Sequence, residues 1–172
     1  DLAFAAASGV RFLGFSNDYR MFFGEDNPQL LAFEKMQATF NKNGNVLFVV
    51  TPKSGKVFTR ETLTVIKDIT HEAWQTPFST RVDSITNHQH TTAEEDELIV
   101  DDLVVDPDSL TDSDLLKIQF IAINELMLVH RMVSPDSKFA GVNVTVQLPG
   151  KALYEGQKTY AHARKIQQTI LE

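Results

Sequence analysis

The sequence predicts an α+β fold: a split β-α-β, ferredoxin-like sheet with helices on one face and additional helices at the N- and C-terminal ends. Three observations carry this reading. Short runs at 45–51, 79–86 and 139–148 have the length and pattern of strands, the first and last rich in Val and the second alternating. Between them, apolar residues recur at three- and four-residue spacing, the period of a helix. Phe, used 12 times in 172 residues, supplies core material without a polar handle. Helices placed between short strands at this density suit one sheet with a helical layer.

Taken in order, Asn27-Pro28 is a helix start, with Asn as cap and Pro in the first turn. Leu30, Phe33, Met36 and Phe40 then extend a helix over about 28–42, which Asn43-Gly44 stops. "NVLFVVT" is a central strand over 45–51, and "PKSGK" is a turn. Phe58 or Thr59 opens a second helix with an apolar face of Leu63, Ile66, Ile69, Ala73 and Trp74, ending near Gln75 before Pro77. "STRVDSI" alternates as a strand over 79–86. The stretch 87–96 has no apolar periodicity and reads as a loop or insertion, and 97–105 as a strand or a bulged strand. Thr111 and Asp114 form a capping box, with acids at the favourable end of the helix dipole. Leu115, Ile118, Phe120, Ile121, Ile123, Leu126 and Leu128 predict a long helix, apolar on more than one side and therefore buried. "RMVS" begins a strand, "PDSK" is its turn, and 139–148 alternates long enough to be a strand. A final helix covers about 156–171.

The formal charge of −7 is unevenly placed: 94–114 holds ten acids and no Lys or Arg. The remaining residues carry 13 acids against 16 bases, so no strong positive field exists to hold a phosphate backbone. Nucleic acid is excluded as a partner. With no Cys there is no disulfide framework and no thiolate site. No run of 18 or more apolar residues is present; the apolar start, 2–15, reads either as a buried helical arm or as the last turns of a membrane-anchored helix.

The most chemical-looking stretch is "NHQHTTAEEDE". On a strand, His88 and His90 would share a face, and Glu94, Glu95 or Asp96 could supply a third metal ligand. The segment reads first as a solvated loop, because no regular structure is predicted there to hold a coordination geometry. His71, His130 and His162 lie on separate helices. Asp101 and Asp102 are adjacent on a strand and so point to opposite faces, the pattern of a charged edge that discourages strand pairing. Ser54-Gly55-Lys56 lacks the remainder of a phosphate loop and reads as a turn. No catalytic residue, metal or cofactor is assigned from these patterns.

"NDYRMFFGEDNPQLLAFEKMQATFNKNGNVLFVV" (17–50) resembles the first extracytoplasmic loop of exporters of the resistance-nodulation-division (RND) superfamily, in the branch with MMPL-like and Patched-like proteins. Asp18-Tyr19-Arg20, Phe22-Phe23, Asp26-Asn27-Pro28 and the strand 45–50 occupy the family's places. "VFTRETLTVIKDITHEAW" is similar to its first porter helix. "VDSITN" is similar to its strand ending in Ser-Leu-x-Asn, with Ile85 for Leu. "DDLVVDPDSLTDSDLLKI" and "ELMLVHRMVSPDSKFAGVNVTVQL" resemble the second half of the loop, with Ser137 where the family has a turn Gly. The likeness spans 14–171.

The resemblance implies a porter domain at 16–172, with 1–15 a remnant of, or linker from, a first transmembrane helix. It implies the periplasmic domain of a proton-driven exporter of hydrophobic or amphiphilic, lipid-like substrates in a bacterial inner membrane, facing the periplasm. Its partners would be the rest of the same transporter, including a second periplasmic domain, or further copies of itself. It would gate substrate passage without bond chemistry. Tyr19, Phe22 and Phe23 are the candidate gating or substrate contacts, and a pocket is expected between sheet and helices. The alternatives are a stand-alone soluble ligand-binding or sensory α+β domain, and a metal-dependent hydrolase using His88 and His90.

Overall fold

The alternation in "GVNVTVQ" is the clearest strand signal in the chain, and it forms the middle of the sheet. The computed structural model describes residues 22–24, 26–39, 43–94, 97–149 and 155–171. The chain divides into two units, Asp1–Asn41 and Lys42–Glu172.

In the first unit, helix α1 spans Pro28–Thr39. Asn27 caps it as expected, its Oδ1 accepting from the N–H groups of Gln29 at 3.0 Å and Leu30 at 3.1 Å. The expected continuation to 42 lies outside the described residues.

The second unit contains β1 (Asn43–Val50), α2 (Arg60–Ala73), β2 (Ser79–Asp83), β3 (Gln89–Glu94), β4 (Glu97–Asp102), α3 (Asp112–Asn124), β5 (Ala140–Gln147) and α4 (Glu155–Leu171). A three-stranded sheet runs in the order β1-β5-β2. β5 is antiparallel to both neighbours, so β1 and β2 are parallel to each other with β5 between them. The result is an open α+β fold in which the β1-α2-β2 unit is split by a later strand. Ala140, Val142, Val144 and Val146 of β5 are all buried, facing the helices. Register places Val50, Phe48 and Val46 of β1 beside the first three of these, and Val82 of β2 beside Val144. The other face of β1 leaves Leu47 and Val49 more than half exposed, as expected of a sheet covered on one side.

Thr59 caps α2, its side chain accepting from the N–H of Thr62. The helix buries Leu63, Ile66, Ile69 and Ala73, the face predicted from spacing. Trp74 departs from that prediction: it is the C-cap residue and half exposed, because the helical period ends one residue before it. α4 packs beside α2, with Thr159 Oγ1 donating to the carbonyl of Pro77 at 3.3 Å.

After β2 the chain turns through a polar knot. Asn87 Oδ1 accepts from the N–H of Ser84 at 2.8 Å, while Asn87 Nδ2 donates to the carbonyl of Val82 at 2.7 Å. The hydroxyls of Thr70, Ser84 and Thr86, all buried, bond to one another, and Thr70 also donates to the carbonyl of Ile66. Every member thus has a partner, which is what makes burying them tolerable.

Three expectations are corrected. The stretch 87–96 is not simply a loop: Gln89–Glu94 forms β3, paired with β4 in an antiparallel ribbon. A two-stranded ribbon buries neither face in the core, so it carries no apolar alternation to read. The pairing continues at its base, with Leu103 N–H donating to His88 and Val104 N–H to Thr86. Second, α3 is shorter and less covered than expected. It ends at Asn124, whose side chain donates to the carbonyl of Phe120 while Glu125 turns extended. Of its residues only Ile118 and Ala122 are buried; Leu116 and Phe120 are about two-thirds exposed. Third, "RMVS" forms no strand; Val133 alone makes bridges to Val129 and Ala140.

The capping box at α3 is present. Thr111 Oγ1 donates to Asp114 Oδ2 at 2.6 Å, and the Thr111 N–H donates to the same oxygen at 3.0 Å. These two bonds, the hydroxyl first, hold the Asp114 carboxyl below its usual value. A carboxyl with a depressed folded pKa stabilises the fold above its unfolded pKa and loses that contribution as pH falls through the folded one. Asp114→Ala is therefore expected to be less stable than the parent at pH 7, with the two melting temperatures converging as pH falls past the ordinary carboxylate value and through the lower folded one. A constant gap across pH in thermal melts would count against this.

Candidate functional site

Register sets His90 opposite Asp101, one face of the ribbon, with Thr92 and Ile99 next along it. His88 lies just before β3, where its carbonyl accepts from Leu103. Among the described residues no group of three or more His, Asp or Glu side chains is placed to hold a metal ion. Glu95 and Asp96 lie outside the described residues. Asp101 and Asp102 point to opposite faces of β4, as alternation requires. Of the aromatic trio, Tyr19 lies outside the described residues, Phe22 is 85% exposed and Phe23 47%.

The feature that spacing did not locate is a cleft of about 940 Å³ beside β1. Its wall is residues 46–50 of β1, its floor is Thr62, Val65 and Ile69 of α2, and its far side is α4. α4 contributes Tyr160, Ala163, Arg164, Gln167 and Ile170, one face at helical spacing. The lining is mainly apolar. Sheet order leaves β1 at an edge, and the cleft lies where β1, α2 and α4 meet there.

The lining also contains a few polar groups. The turn after β1 carries Lys53 and Ser54 into the lining. Gly55, at φ 68°, makes that turn possible, with its N–H donating to the carbonyl of Pro52. Arg164 Nη1 donates to Gln167 Oε1 at 2.8 Å. Neither Lys53 nor Arg164 has a carboxylate partner among the described residues. Glu61, also in the lining, sits in the first turn of α2. A backbone N–H there and the Thr59 hydroxyl hold its carboxyl below the ordinary value, so its charge is committed to the helix terminus. The Ser54-Gly55-Lys56 segment is a turn, with Ser54 Oγ accepting from the Lys56 N–H at 3.4 Å.

A second, shallower apolar depression runs along the exposed face of α3, between Ser113, Leu116, Lys117, Phe120 and Ile121. Among the described residues no helix is long and apolar enough to cross a membrane. No protein-family model, curated protein or solved structure matches the chain.

Proposed function

We propose that the Lys42–Glu172 unit is a ligand-binding α+β domain whose cleft takes an elongated hydrophobic or amphiphilic ligand without covalent change. One observation carries this: a mainly apolar cleft of about 940 Å³, within the size range of small-molecule sites, with a few polar groups in its lining. The proposal requires no reacting group. The dye 1-anilinonaphthalene-8-sulfonate should bind with one dominant site. Val65→Trp, which places an indole on the cleft floor, should weaken that binding at least tenfold, about 1.4 kcal/mol. Unchanged dye affinity in a folded Val65→Trp variant would refute the assignment.

A second reading is the periplasmic porter domain of an RND-type exporter. It is supported by the order in which the resembling segments fall: on β1, on α2, at the end of β2 and on β5, the elements of a ferredoxin-like split β-α-β. In that setting the cleft would lie on the path of hydrophobic substrates, and the exposed face of β1 would meet the second periplasmic domain. Membrane helices encoded on either side of the segment, and export lost with Val65→Trp in the full-length protein, are the expected results.

A further inference from the structure

We infer that the occupant of the cleft is an extended peptide segment, which adds a strand to the free edge of β1 and sets an acidic side chain against Lys53 and Arg164. This rests on the cleft being a binding site and names what it binds. The first ground is the edge itself. β1 pairs with β5 along all eight residues without a bulge, and among the described residues no strand pairs with its other side. Alternate backbone N–H and C=O groups of β1 therefore face away from the sheet.

Edges of this kind are normally guarded by charge, Pro, bulges or short length. The opposite edge shows those guards. β2 has five residues, a register shift between Ser79 and Arg81, and an Arg81–Asp83 ion pair at 2.7 Å. β1, "NGNVLFVV", has no charge, no Pro and no irregularity. Among the described residues, one edge of the same sheet is guarded against pairing and the other is not.

The second ground is how the cleft meets β1. Side chains alternate across a strand, so a cavity lying against one face would be lined by every second residue. Here five consecutive strand residues, Val46 through Val50, line it, as expected of a cleft that reaches the strand's edge as well as one face. A hydrocarbon chain there would leave the outward backbone groups without partners, at a cost of about 1–3 kcal/mol for each one buried. A peptide backbone satisfies them, and its alternate apolar side chains would reach Val65, Ile69 and Ala163. The third ground is charge. Lys53 and Arg164 are two cations in the lining free of carboxylate partners among the described residues, while the one acid there, Glu61, is held by the start of α2. An acidic side chain on the peptide is the complement.

The test uses an acetylated, amidated octapeptide alternating Val with Thr or Asp, eight residues being the length of β1. Titration calorimetry and amide chemical shifts of β1 report binding. The expected result is micromolar affinity with the largest shifts in 43–50. N-methylation of alternate peptide nitrogens should weaken binding at least tenfold. The double variant Lys53→Glu with Arg164→Glu should weaken the Asp peptide at least tenfold at low salt and leave an all-Thr version within twofold. Equal binding of the N-methylated peptide would overturn strand addition while leaving the cleft reading intact, as would dodecanoate binding that the peptide cannot displace. Self-association through β1 that excludes the peptide would overturn it in favour of a second copy. Loss of dye, dodecanoate and peptide binding together would instead remove the cleft reading itself.

Discussion

Ile66→Ala is expected to lower the unfolding free energy of the Lys42–Glu172 unit by roughly 2–5 kcal/mol, and its melting temperature by roughly 5–15 °C. Ile66 is fully buried on α2, one turn from Leu63 and Ile69, in the same core as Val142 and Val144 of the middle strand. The loss has two parts: the transfer free energy of the deleted carbons and the cavity left behind. The second is large here because the site is walled by elements that cannot close on it. The sheet is fixed by eight paired residues between β1 and β5, and α2 is fixed at its start by Arg60. Arg60 Nε donates to the carbonyl of Leu110 at 2.6 Å and Nη2 to Asp112 at 2.7 Å. Leu116→Ala, on the exposed face of α3, serves as the comparison and is expected to change stability by no more than about 0.5 kcal/mol. Urea unfolding followed by circular dichroism checks both. Similar losses from the two variants would mean that the core is not where α2 meets the sheet.

Asn87→Ala is expected to cost roughly 2–4 kcal/mol although it removes no apolar packing. The side chain makes three hydrogen bonds: from the Ser84 N–H, from the Ser84 hydroxyl at 3.1 Å, and to the Val82 carbonyl. Ser84 is 2% exposed and Val82 2%, so the groups left behind have little access to water. Net hydrogen-bond contributions of about 1 kcal/mol would predict a smaller effect; the penalty for orphaned buried groups is what raises it. Ser84→Ala should cost less, because Thr70 retains its bond to the Ile66 carbonyl at 2.6 Å. The order of the two losses in thermal unfolding is the measurement, and a larger loss for Ser84→Ala would mean the turn is held by hydroxyls and not by the amide.

What the sequence disclosed follows from where each residue's partner lies. β5 and α2 were legible because one face of each meets the core continuously, so the period of burial equals the period of the element. The caps at Asn27, Thr59 and Thr111 are local hydrogen bonds within three residues and were equally readable for the first and third. Failures occurred where burial is not periodic. The β3–β4 ribbon has no core face, and α3 keeps Leu116 and Phe120 on its outer side, so apolar content overstated its burial. Ser137 is a subtler case. It adopts φ 58°, a conformation that favours Gly. Here the Ser137 hydroxyl accepts from Gln119 Nε2 at 3.2 Å, a bond that Gly could not make and that offsets part of the backbone strain. The cleft was legible only as an expectation of some pocket between sheet and helices. Its position depends on β5 entering between β1 and β2, a pairing between residues about a hundred positions apart that no local pattern encodes.

The β3–β4 ribbon has a consequence for the molecule at a distance. Between 89 and 102 the sequence holds six acids and no Lys or Arg, whereas α4 holds two Lys and one Arg against a single Glu. This uneven charge makes the acidic run a focus of negative potential. On an anion-exchange resin the second unit should be retained by the ribbon and eluted early by modest salt, because that attachment is screened over about 10 Å at 0.1 M. In solution the same asymmetry would turn the molecule before first touch with a cationic body, quickening productive encounters at low ionic strength and leaving the final fit unchanged.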